Sequence, residues 1–217
     1  MSAMRRPISI YIIGTQGTGK TTIVNKLDRL FCSTPVAPPM KKPQIIREVA
    51  RKVQRIHPIP TESIRSDPSQ SLQLQKRIQA AQFKAEREAL QRGSWFISGR
   101  SGFDPIVYAR RYVGSEAAAD MMESVWCVEL MERMSASLVV VCESGMGWLQ
   151  DDGVRLMPED REDWMQLHNL FCEMLDEAGL MYFVLPAGIT DLSGRVEFVL
   201  SKWKGLHSAK EAVRTLL

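Results

Sequence analysis

Gly14, Gly19, Lys20 and Thr21 stand at the spacing GxxxxGK[ST] within the run Ile8-Ser-Ile-Tyr-Ile-Ile-Gly-Thr-Gln-Gly-Thr-Gly-Lys-Thr-Thr22. That spacing marks a loop that holds phosphate. Its backbone N–H groups must turn inward on phosphate oxygens, and Gly14, Gly17 and Gly19 remove the side chains that would obstruct them. The expected nucleotide contacts are Gly14, Gln16, Gly17, Thr18, Gly19, Lys20, Thr21 and Thr22. Lys20 is expected to reach the β- and γ-phosphates, and the Thr21 hydroxyl to ligate Mg²⁺. The ligand this implies is a nucleoside triphosphate, ATP or GTP, with Mg²⁺. Phosphoryl transfer asks a protein mainly for positioning and charge. Arg100 supplies a guanidinium that either clamps phosphate bidentately or pairs with Asp104 or Glu48. Glu143, at the end of an apolar run, suits an acid that holds the Mg²⁺ shell through water.

These groups need elements to position them. An apolar run precedes the glycine loop, and Ile23, Val24, Leu27, Leu30 and Phe31 give the segment behind it an apolar helical face. The dipole of that helix favours the same anion. Four prolines between Ser33 and Pro43 demand a loop. Gln44 to Val49 reads as a second strand, running into a turn or helix over Glu48 to Arg55. His57-Pro-Ile-Pro60 breaks the chain. Leu74, Ile78, Ala81, Ala85 and Ala89 mark a long helix over 69–92, closed by Gly93. Ser94 to Ser98 follows as a strand and Pro105 to Tyr112 as a short helix. Glu116 to Met134 reads as one helix. Ser137 to Cys142 is a strand apolar enough to be buried on both faces. Helices are expected over Pro158 to Ala178 and Asp191 to Trp203, with a strand over Met181 to Leu185 between them. Ser208-Ala-Lys-Glu211 matches a capping box and predicts a last short helix. Five strands alternating with helices predict an α/β fold, a parallel sheet covered on both faces, with ligands beyond the strands' C-terminal ends. The chain is read as one domain over 1–217, with residues 144–162 as a lid.

Composition narrows the function classes. The chain has 217 residues, 45% hydrophobic and 24% charged, with a net charge of +3. That charge is too small to argue for nucleic acid or an anionic membrane. No apolar run is long enough to span a bilayer, and the N-terminus lacks the apolar core of a secretory signal. A cytoplasmic location is expected. Cys32, Cys127, Cys142 and Cys172 are too scattered for a zinc site and read as free thiols. His57, His168 and His207 have no sequence partners and read as solvated or core residues. Asn25-Lys-Leu-Asp28 spells the guanine-reading NKxD, but inside the helix behind the loop, where it cannot reach a base. The base is expected near Ala187 to Thr190.

Four segments together carry a family resemblance. Ile12 to Thr22 resembles the P-loop of small AAA-type domains related to the nicotinamide riboside kinase domain of bacterial NAD-biosynthesis regulators. Ile46-Arg-Glu-Val-Ala-Arg51 is similar to that group's second-strand segment. Trp95 to Ala109 resembles the third-strand loop "DRS…DP…YA" of fungal members. Ser137 to Arg155 resembles the fourth strand and the "W…DDG.R" loop behind it. The resemblance covers about Ile8 to Leu200 and implies a P-loop NTPase fold like that of nucleoside and nucleotide kinases. It implies Glu48 as the base for an acceptor hydroxyl, although a surface Glu paired with Arg47 or Arg51 reads equally well. It implies Arg155 as a lid residue closing on the phosphates, with Arg161 paired to nearby acids instead. One position departs from the pattern: Gly99 stands where the group has the Asp of Asp-Arg-Ser. Asp104 either replaces that charge or caps the turn before Pro105.

Two readings follow. In the first, the protein is a small-molecule kinase with Lys20, Glu48, Arg100 and Arg155 as catalytic residues and Thr21 and Glu143 at the metal. In the second, it is a non-catalytic ATP or GTP switch or adaptor, as Gly99 suggests. A remodelling ATPase fits poorly, because the chain is too short for the helical lid subdomain. The acceptor and the oligomeric state are not specified by the sequence.

Overall fold

The structure is a computed structural model and describes residues 7–33, 41–47, 49–93, 95–145 and 158–215. Five parallel strands form one sheet: β1 (Ile10–Ile13), β2 (Gln44–Ile46), β3 (Phe96–Ser98), β4 (Leu138–Cys142) and β5 (Phe183–Leu185). Their order is β2-β3-β1-β4-β5. The strand feeding the glycine loop is therefore central, paired with β3 on one side and β4 on the other. Because every pairing is parallel, the loops after all five strands leave the same edge.

The side-chain alternation of β1 divides the core. Ile10 and Ile12 pack on one face with Leu27, Val196, Val199 and Trp203, from α1 (Lys20–Ser33) and α9 (Leu192–Thr215). Tyr11 and Ile13 pack on the other with residues of α4 (Pro68–Arg92), α5 (Asp104–Tyr112), α7 (Val125–Ser135) and α8 (Arg161–Glu177). Both faces of the sheet are thus covered by helices, and β1 and β4 are buried at every position. A third small cluster joins Val53 of α2 (Val49–Ile56) and Ile64 of α3 (Thr61–Ser66) to Leu74 of α4.

Several boundaries differ from the expected ones. The helix expected over 116–134 is two helices, α6 (Ser115–Met122) and α7. Ser124 breaks it: its backbone is extended and its Oγ accepts the Cys127 N–H as an N-cap. Apolar periodicity runs through both helices and hides the break. The capping box at Ser208 does not start a helix, since α9 is continuous from Leu192 to Thr215. Its buried stripe, Val196, Val199 and Trp203, anchors the helix that then runs on through Ser208 without a break. α8 starts at Arg161, where the Asp160 carboxylate caps the Asp163 N–H, rather than at Pro158. α3 follows Pro60 where only a break was expected. Asp67 accepts from Ser69 N and Gln70 N and starts α4 with Pro68 in its first turn. Of the lid expected over 144–162, residues 146–157 lie outside the described residues.

Candidate nucleotide site and acceptor cleft

The glycine loop spans the gap between β1 and α1. Gly14 has φ +116°, and a Cβ there would lie 2.9 Å from the Cys142 carbonyl oxygen of β4. The loop therefore leaves β1 by a path that only glycine can follow. Gly19 has φ +75° and precedes the first turn of α1. Lys20 is buried; its Nζ donates to Thr18 Oγ1 at 3.0 Å and to the Thr15 carbonyl. The ammonium group is thus folded over the loop. Thr21 and Thr22 are exposed beside it.

Four side chains from elsewhere hold the loop. Trp164 of α8 donates its indole N–H to Thr15 Oγ1 at 2.7 Å and to the Gln16 carbonyl at 3.0 Å. Ser144, just past β4, shares a 2.6 Å hydrogen bond with Thr15 Oγ1. Tyr108 of α5 donates its hydroxyl to Gln16 Oε1. Arg195, in the first turns of α9, donates to the Thr18 carbonyl at 2.9 Å. Arg100 adds a fifth restraint, with Nη1 donating to the Gly14 carbonyl at 2.7 Å and to Asp104 Oδ1 at 2.9 Å. Burial opposes the charge on Arg100, but Tyr108 and Asp104 outweigh it and hold the guanidinium more firmly charged than usual. Burial pushes the Cys142 thiol up despite the nearby charges of Lys20 and Arg195.

A cleft of about 360 Å³ opens from this loop. Its phosphate end is lined by Gln16 to Thr22, and its far end runs between α2, α3, α4 and α5. Val49, Ile64, Leu74 and Ile78 give the far end apolar walls, with Gln75 and Gln82 among them. Gly99, Arg100 and Asp104 line the middle. Gln82 is wholly buried, and its Nε2 lies within bonding reach of Glu86 Oε1, Ser98 Oγ and the Arg100 carbonyl. Glu86 also accepts from Tyr11 Oη at 2.8 Å and Arg133 Nη1 at 3.2 Å. A chain of polar groups therefore runs from the core to the cleft.

A family model described as an AAA domain matches residues 9–193. The chain belongs to the AAA domain family. No curated protein sequence matches it. Among solved structures it is similar to a deoxyadenosine kinase from M. mycoides, solved with dCMP and a flexible dCDP as products. That likeness has a TM-score of 0.59 at 17% identity, over 92% of this chain and 100% of the other. It is also similar to a shikimate kinase from Acinetobacter baumannii in complex with shikimate, with a TM-score of 0.50 at 13% identity, over 94% and 95% of the two chains. At these identities the likeness shows the fold, a P-loop α/β fold of the kinase type.

The residues of this AAA domain that the sequence singles out divide in three. Gln16, Gly17, Thr18, Gly19, Lys20, Thr21, Thr22 and Arg100 meet at the cleft, and Gly14 sits directly behind it. Glu143 does not line the cleft; its Oε2 accepts the Ala187 N–H at 2.6 Å and secures the loop after β5. Glu48 and Arg155 lie outside the described residues. Asp104 accepts both the N–H and the hydroxyl of Ser101, so it builds the turn into α5 as well as pairing with Arg100. Asn25 and Asp28 sit within α1, and Asp28 pairs with Arg47. Trp164, Ser144, Tyr108 and Arg195 were missed. Trp164 shows in sequence only as part of an apolar stripe, and Tyr108 only inside the third-strand resemblance. Among the described residues no group of three His, Cys, Asp or Glu side chains forms a metal cluster. No helix there is long and apolar enough to cross a membrane.

Proposed function

We propose that this AAA domain is a small-molecule kinase that transfers the γ-phosphate of ATP to an acceptor hydroxyl. One observation carries the reading: a single cleft joins the phosphate loop to an apolar, amide-lined chamber. A donor phosphate at Lys20 and an acceptor in the chamber would share one enclosed space, as direct transfer requires. On binding, Lys20 would exchange the Thr15 carbonyl and Thr18 Oγ1 for phosphate oxygens. Mg²⁺ fits the residues present. Thr21 exposes its hydroxyl beside the loop, and an ion that keeps most of its waters needs few protein ligands. Such an ion would neutralise charge on the transferring phosphoryl group. Glu48 as base and Arg155 as lid cation complete the proposal, and kinship with nicotinamide riboside kinase domains belongs to it too.

Gly99 favours a second reading, nucleotide binding without transfer, because the cleft has no acid at that position. One assay separates the two. ADP release is measured with Mg²⁺ and ATP against a panel of alcohols, for the wild type and for Lys20→Ala. Acceptor-stimulated release that Lys20→Ala abolishes is the expected result. Tight ATP binding with no acceptor-dependent release across the panel would leave the switch reading in its place.

A further inference from the structure

Two peptide groups of the phosphate loop are held from behind. Trp164 takes the Gln16 carbonyl and Arg195 the Thr18 carbonyl. Both side chains are buried, and neither lines the cleft. In a planar trans peptide the carbonyl and the next N–H point opposite ways. A donor behind the loop therefore turns an N–H toward the cleft, that of Gly17 for Trp164 and that of Gly19 for Arg195. Both glycines have φ +75°, the left-handed setting found where successive N–H groups gather round an anion. Arg100 and Lys20 also donate to loop carbonyls, but they line the cleft themselves.

The two rear donors differ in charge. An indole is neutral, whereas a cation on a carbonyl polarises the peptide and strengthens its N–H as a donor. The guanidinium is close enough to do so: a Cβ on Gly19 would stand 3.6 Å from Arg195 Nη1. The run Asp191-Leu-Ser-Gly-Arg195 builds the arrangement. Asp191 accepts the Gly194 N–H at 2.7 Å, and a Cβ on Gly194 would meet its Oδ2 at 2.7 Å, so the carboxylate packs where a side chain would stand. Arg195 leaves that capped turn toward the loop, while Val196 and Val199 seat the helix on the sheet.

We infer that Arg195 is a positioning residue for the phosphate held at Gly19. From behind the loop it aims and polarises that amide without touching the ligand. The ligand it serves is a polyphosphate chain, with or without a base attached. This rests on the nucleotide-binding half of the proposed function and not on the acceptor.

Tripolyphosphate and a non-hydrolysable ATP analogue, each with Mg²⁺, are titrated calorimetrically into the wild type, Arg195→Met and Arg195→Lys. Arg195→Met is expected to weaken both ligands about tenfold, by the same factor because the effect lies in the phosphates. Arg195→Lys keeps the charge and is expected to recover most of the loss. Amide resonances of isotopically labelled protein give a second readout. The Gly19 N–H is expected to move downfield when tripolyphosphate binds the wild type, and to move much less in Arg195→Met, while Gly17 moves alike in both. A role in packing alone would not separate the two glycines. The inference is overturned if the wild-type Gly19 resonance stays in place on binding, a result that needs no variant to fold. It is overturned equally if folded Arg195→Met binds tripolyphosphate as tightly as the wild type, if Arg195→Lys binds no better than Arg195→Met, or if Gly17 and Gly19 lose their shifts together. A wild type that bound neither ligand would remove the phosphate reading of the loop and this inference with it. Binding without acceptor-dependent ADP release would remove the kinase reading and keep the role of Arg195.

Discussion

Trp164 Nε1 lies 2.7 Å from Thr15 Oγ1, so a residue of α8 anchors the phosphate loop across 149 positions of sequence. The same N–H reaches the Gln16 carbonyl, and the indole is 2% exposed. Trp164→Phe keeps the ring packing and removes both bonds. Thr15 Oγ1 retains Ser144, but the Gln16 carbonyl loses a donor. The variant is expected to lose about 1–3 kcal/mol of stability and several-fold in ATP affinity. Urea unfolding and nucleotide titration check both, and unchanged affinity would show that the loop needs no such anchor.

Glu86 predicts a pH dependence. Burial is the main cause that pushes its pKa up from 4.5 to about 7, against the bonds from Gln82, Tyr11 and Arg133. In the unfolded chain the carboxyl titrates near its ordinary value. Between about pH 4.5 and 7 the folded protein holds a proton that the unfolded chain has released, so stability falls as pH rises and the loss is complete above 7. At about 1.4 kcal/mol per pKa unit the effect is a few kcal/mol at most. Urea midpoints between pH 5 and 8 should show the decline in the wild type, and Glu86→Gln should flatten it whatever its absolute stability.

Gly102 predicts a steric coupling. A Cβ there would lie 2.3 Å from Leu130 Cδ1, a buried side chain of α7. Gly102→Ala is expected to cost about 1–3 kcal/mol by overpacking. Leu130→Ala alone is expected to cost about 2–5 kcal/mol through its cavity. The double variant should lose less than the sum, because the added methyl fills part of that cavity. Strict additivity in a double-mutant cycle would refute the contact.

Gly99 predicts an activity change with little structural cost. A Cβ there meets Val24 Cγ2 at 3.6 Å, an ordinary contact. Gly99→Asp should therefore fold with a stability change within about 1 kcal/mol. In the kinase reading the added carboxylate, beside Arg100 and the phosphate loop, should raise turnover about tenfold or more. Unchanged turnover in a folded variant would show that another group already serves there.

The phosphate loop was legible because one short motif carries both its geometry and its chemistry. Burial of Leu138–Cys142 on both faces followed from a run too apolar for an exposed face, whereas the central place of β1 shows only in the strand order. The restraints on the loop were not legible. Trp164 and Tyr108 act from helices far away in sequence, and an apolar stripe looks the same whether or not its tryptophan donates a bond. Glu143 has a structural partner that its position in the sequence does not reveal. Its place after a buried strand suggests an acid at a metal, and its carboxylate also accepts the Ala187 amide N–H. The Ser124 break was hidden because hydrophobic spacing continued across it, and only the cap's extended backbone reveals it. The chamber at the far end of the cleft depends on how α2, α3 and α4 meet, which no local pattern encodes.

α9 holds the chain on both sides of β1. Trp203 donates its indole N–H to the Ile8 carbonyl at 2.9 Å, and Arg195 holds the Thr18 carbonyl at the other end of the same segment. Trp203 also stacks on Trp95 and meets Phe31 edge-on. In synthesis the phosphate motif emerges well before its clasp. A nascent chain ending before Leu192 carries every glycine of the loop and neither of these restraints. These two restraints are thereby deferred until translation of α9, and a premature stop there would leave a chain that carries the motif without them.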